Sequence, residues 1–170
     1  VSSRMTISFD LHLLGWKAFE DLSASIFRDI LGQTLQVFAP GADGGRDASF
    51  FGLWAGKHTL EPRVGSFCIQ CKHTSKPSQN LSISTVEEEL IKVSRLAAEG
   101  LCDNYFLITN HGLPAKVAED AEKKIIAAGA KTACIFGSEW IAKVISENPR
   151  LRRLVPRIYG LGDLTQIITH

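Results

Sequence analysis

The chain has 170 residues, 45% of them hydrophobic and 22% charged, which builds one packed domain and excludes disorder and collagen-like or coiled-coil architecture. With 19 Lys and Arg against 18 Asp and Glu the net charge is +1, so no strongly basic coat exists and any nucleic-acid contact is local. No apolar run approaches the roughly 18 residues of a membrane span, the first residues lack a signal-peptide stretch, and four cysteines read as free thiols of a reducing cytoplasm.

In chain order, Trp16, Phe19, Ser23, Ile26, Phe27 and Ile30 recur at three- and four-residue steps and predict an amphipathic helix from Leu14 to Leu31, stopped by Gly32. Glu20 falls on that stripe, where a carboxylate needs a partner. A short strand, Leu35 to Ala39, leads into the glycine-rich turn Gly41-Ala42-Asp43-Gly44-Gly45-Arg46-Asp47. Ala48 to Phe51 and Ser66 to His73 read as strands joined by a long hairpin connection over 52–65. On the second strand Phe67, Ile69 and Cys71 face one way, and Cys68, Gln70 and Lys72 the other.

Ser84 with Glu87, or Thr85 with Glu88, offers a capping box for a helix to Ala98 whose stripe is Val86, Leu90, Val93 and Ala97. Then come a buried strand from Tyr105 to Thr109, a helix opened by Pro114 and stopped by Gly129, a strand from Thr132 to Phe136, and a helix capped by Ser138 that reaches Asn148. The order is a mixed-sheet α/β layout. Arg150, Arg152, Arg153 and Arg157 form a basic cluster, read as a solvated helix end in preference to a phosphate patch. The final stretch, Tyr159 to His170, reads as chain entering another domain.

If the two strands pair, Asp47, Gln70 and Lys72 gather a carboxylate, an amide and an ammonium at one end of a sheet, and Glu20 can add a second carboxylate. Hard oxygen donors of this kind suit Mg²⁺, and a neighbouring lysine can orient water and stabilise charge on a phosphate. A surface hairpin with an ordinary polar face has the same spacing. Cys68-x-x-Cys71 with His73 lacks a second ligand pair, and residues three apart on a strand face opposite ways, so the cysteines read as structural and no zinc is expected.

The segment Ala42-Asp43-Gly44-Gly45-Arg46-Asp47-Ala48, followed by Phe67-Cys68-Ile69-Gln70-Cys71-Lys72-His73, resembles the Mrr-like branch of the PD-(D/E)XK nucleases. The resemblance implies a restriction-endonuclease-like αβββαβ core with a central mixed sheet flanked by helices. It marks Asp47, Gln70 and Glu20 as metal ligands and Lys72 as the catalytic lysine, Gln70 standing where a second acid is usual and ligating through its side chain or through neighbouring carbonyls. Asp43 is expected to fix the turn.

The implied activity is hydrolysis of double-stranded DNA with Mg²⁺, Mn²⁺ being able to substitute. The implied setting is the effector domain of a bacterial anti-phage or restriction system. A catalytically silent nuclease-fold module that binds DNA or protein is the alternative. Residues 1–150 are expected to form the nuclease domain and 151–170 an extension or linker. No membrane association is expected, and assembly as a homo-oligomer or through a further domain is. Lys72→Ala is expected to abolish cleavage and leave the fold intact.

Overall fold

The computed structural model of the protein describes residues 9–31, 39–40, 46–54 and 61–158. After a single 3₁₀ turn at Leu11–Leu13 the elements run α1 (Trp16–Leu31), β1 (Ala39–Pro40), β2 (Arg46–Trp54), β3 (Arg63–Lys72), α2 (Ile83–Glu87), α3 (Leu90–Ala98), β4 (Asn104–Thr109), α4 (Ala115–Ala128), β5 (Thr132–Phe136), α5 (Ser138–Glu147) and α6 (Pro149–Ile158). The five strands lie in sequence order in one sheet, β1-β2-β3-β4-β5. The pairs β1–β2 and β2–β3 are antiparallel, while β3–β4 and β4–β5 are parallel. This is an α/β fold with a mixed central sheet flanked by helices, as the residue patterns predict.

Strand alternation divides the interior in two. Phe67, Ile69, Phe106, Ile108 and Phe136 meet Phe19, Leu22, Ile26 and Phe27 of α1, Ile141 and Ile145 of α5 and Leu151 of α6. Cys68, Tyr105, Leu107, Ala133 and Ile135 meet Val86 of α2, Val93 of α3 and Ala121 and Ile125 of α4. The crossovers β3–α2–α3–β4 and β4–α4–β5 put their helices on the same face, as successive right-handed crossovers between adjacent parallel strands must. Every residue of β4 is buried, as expected for a central parallel strand covered on both sides.

Several local expectations change. The β2–β3 pair continues through Gly52↔Gly65 to Trp54↔Arg63, so the hairpin connection is shorter than 52–65. The helix expected over 84–98 is two helices, because Glu89 N–H bonds to Val86 O at 2.9 Å, an i→i−3 step that tightens the chain between α2 and α3. The capping box does not form. Ser82 is the N-cap of α2, without a side-chain cap bond, and its hydroxyl meets those of Ser84 and Thr85 instead. Gly137, not Ser138, caps α5. Trp16, the first residue of α1, is half exposed, and Leu22 takes its place in the core. Gly32, most of the strand expected over 35–39, Asp43 with its turn, and the tail from Tyr159 lie outside the described residues.

Candidate active site

The site is built outward from the carboxyl end of β3. Gln70 and Lys72 lie two apart on the strand, so both belong to the face covered by α2 and α3. In the antiparallel register Asp47 is the direct partner of Gln70, and Ala48, the next residue, is buried in the opposite core. Directly opposed positions share a face, so position 47 belongs with 70 and 72. The side chain of Asp47 itself lies outside the described residues.

The strand end is held firmly. Asn110, just past β4, accepts a hydrogen bond from Thr74 N–H at 2.8 Å and donates to Thr74 O at 2.7 Å and Leu11 O at 3.2 Å. Beside it, a polar cavity of about 300 Å³ is lined in part by Lys76, Gln79, Asn80 and Ser138, beyond the carboxyl ends of the parallel strands. In open α/β sheets this is where ligands approach.

Two residues of the α2–α3 segment complete the cluster. Glu89, at the N-cap of α3, places Oε1 2.5 Å from the Lys72 ammonium, and their side chains are 6% and 22% exposed. Lys92 donates to Gln70 Oε1 at 3.0 Å in a buried contact. An ammonium at that distance fixes which end of the amide is oxygen, since the amide NH₂ cannot accept. Gln70 Nε2 and Glu89 Oε2 are buried with no hydrogen-bond partner among the described residues.

Nothing in the local pattern marks Lys92, whereas Glu89 does carry a signal. Val86, Glu89 and Val93 follow the three- and four-residue steps of an inward stripe, the same argument that singled out Glu20.

Glu20 is brought to the other face. It is buried on α1, whose Ser23 hydroxyl lies 3.8 Å from the Cys71 sulfur. Burial pushes the Cys71 thiol up to about 12, the Ser23 hydrogen bond opposes the rise, and the charge of Glu20 adds to it. Glu20 thus sits behind β3, at the residue between Gln70 and Lys72. His73 also points to this side, its Nε2 2.6 Å from Leu14 O.

Cys68 and Cys71 form no disulfide and belong to opposite cores, so they cannot converge on one ion. His111, at the end of β4, is buried with Nδ1 2.5 Å from the Thr109 hydroxyl. Arg152 and Arg153 are exposed on α6, and Arg150 lies 3.5 Å from Asp29.

Among the described residues no three His, Cys, Asp or Glu side chains gather as a metal site. The register puts position 47, an aspartate, opposite Gln70, and the described side chains on this face offer oxygens: the amide oxygen of Gln70 and Glu89 Oε2, which has no hydrogen-bond partner among the described residues. That chemistry fits Mg²⁺ or Mn²⁺ and does not fit zinc.

No curated protein matches the sequence. Among solved structures, the DNA modification-dependent restriction endonuclease AspBHI has the same fold, with a TM-score of 0.51 at 12% identity. The alignment covers 95% of this chain and 44% of that one, so the chain spans less than half the length of AspBHI. A family profile for Mrr_cat, described as restriction endonuclease, matches residues 11–131, a span that includes α1, the hairpin with Gln70 and Lys72, and the α3 residues that engage them. The chain therefore belongs to the Mrr_cat restriction endonuclease family.

Proposed function

We propose that the chain is a Mg²⁺-dependent deoxyribonuclease, Mn²⁺ being able to substitute, that cuts phosphodiester bonds in double-stranded DNA as the effector part of a bacterial restriction or anti-phage system. The observation that carries this reading is the juxtaposition of Gln70, paired in register with Asp47, and Lys72, held by a buried glutamate, on one face at one strand end. Asp47 and Gln70 would hold the cation, which when bound supplies positive charge to the scissile phosphate and acidifies water beside it.

Lys72 donates from its ammonium to the attacking water or a phosphate oxygen, so negative charge develops against a fixed donor. Glu89 restrains that ammonium, reducing the reorganisation needed at reaction. Glu20 adds negative charge from behind β3, seated against Cys71, and its field favours a bound cation. A net charge of +1 gives one domain little sequence-independent grip on DNA, which favours assembly or a further domain that delivers the substrate.

The test is incubation with supercoiled and linear duplex DNA in Mg²⁺ or EDTA. Cleavage in Mg²⁺, its loss in EDTA and its loss in Lys72→Met are expected, and Glu20→Gln, which removes a charge behind the strand and no ligand, should weaken Mn²⁺ binding by less than about threefold. DNA binding with no cleavage under any divalent cation, in an assembled protein, would instead establish the silent module.

A further inference from the structure

We infer that Lys92 of α3 is a positioning residue for Gln70, a fixed cation built into the site that commits the amide oxygen before any divalent ion arrives. The inference rests on the nuclease reading for its catalytic consequence but not for its geometry. Lys92 is 8% exposed and Gln70 1% exposed, and the contact between them is 3.0 Å, so neither side chain is held by solvent. A lysine so buried needs polar partners for its ammonium, and the Gln70 amide oxygen is one of them.

The position of that charge gives the neutral residue at 70 a physical meaning. A carboxylate there would form a buried ion pair with Lys92, and its charge would be spent on the ammonium before it reached a divalent ion. With an amide at 70, Lys92 orients the side chain through one lone pair and leaves the other available, while Glu89 is balanced by Lys72 and the acid for the cation is the one at position 47. The helix thus supplies an opposite grip to each strand residue, acid to Lys72 and base to Gln70.

Three measurements on the full chain test this. In a urea-unfolding cycle, Gln70→Glu should lower the folding equilibrium constant at least about tenfold more in a Lys92→Met background than in the wild type, because only there is the new carboxylate buried unpaired. In Mn²⁺ titrations without DNA, Gln70→Glu alone should change affinity less than about threefold, and Gln70→Glu with Lys92→Met should tighten it about tenfold or more.

In cleavage assays Lys92→Met should lower kcat by about tenfold or more with KM for DNA nearly unchanged, and Lys92→Arg should recover much of that loss. Additive effects in the unfolding cycle, or a tenfold tightening by Gln70→Glu alone, would overturn the inference. So would a Lys92→Met loss confined to stability and not rescued by arginine. A wild type that cuts no DNA yet shows coupled unfolding would keep the Lys92–Gln70 assignment and remove the nuclease reading.

Discussion

Lys72 has two tasks that the sequence shows as one. Its ammonium is the donor proposed for the reaction, and it is also the counter-ion of Glu89, a carboxylate with one oxygen on Lys72 and the other without a partner among the described residues. Lys72→Ala is therefore not the neutral substitution expected from a lysine at a strand end. It strands a buried acid, and a stability loss of about 1–3 kcal/mol is expected in urea unfolding. Lys72→Ala combined with Glu89→Gln should recover most of that loss while cleavage stays absent. A fully stable Lys72→Ala protein would mean that Glu89 finds another counter-ion.

At the scale of elements, the start of β3 is fixed by a close approach rather than by strand propensity. Gly65 has φ +114°, and a Cβ there would lie 2.3 Å from Asp103 Oδ2. Asp103, between α3 and β4, accepts from Ser66 N–H at 3.2 Å, and its own N–H donates to the Ser66 hydroxyl at 2.9 Å. That backbone bond, with Lys131 adding to it, holds the Asp103 carboxyl below the usual carboxylate range. Gly65→Ala is expected to cost about 1–3 kcal/mol from backbone strain alone, and more from the clash. In an Asp103→Ala background the added cost of Gly65→Ala should shrink, and unfolding of the four proteins of this cycle measures the difference. Equal costs in both backgrounds would show that the contact is not the source.

At the scale of the whole molecule, His111 links stability to pH. Burial, with a smaller contribution from the charge of His73, lowers its affinity for a proton below that of an ordinary histidine at 6.5. The unfolded chain therefore binds the proton more readily than the folded one. The stabilisation is complete above pH 6.5 and is lost as the pH falls through the lower folded value. Urea unfolding between pH 7.5 and 5 should show stability declining on the acid side, and His111→Gln should flatten that decline. An unchanged slope would place the acid sensitivity elsewhere.

The sequence by itself determined the kinds and order of the elements from α1 to α5, apart from the split between α2 and α3, and which residues of β3 share a face; α6 was not among the elements read from it. Period-two alternation on β3 assigns Gln70 and Lys72 to one face and Cys71 to the other, and three-and-four spacing buries Glu20 on α1; both follow from backbone geometry within a single element. Only the tertiary structure decided which helix covers which face. A stripe says that Glu20 and Glu89 turn inward but not toward what, and the chain crossing assigns Glu20 to Cys71 and Glu89 to Lys72. Lys92 escaped because nothing local distinguishes it from a surface lysine on an amphipathic helix; its role arises when β3 is brought against α3, 22 residues away in sequence. The hairpin length and the break between α2 and α3 were hidden for a related reason. Strand register and an i→i−3 step are settled by what packs across the sheet, where long-range burial outweighs the small local preferences of the residues themselves.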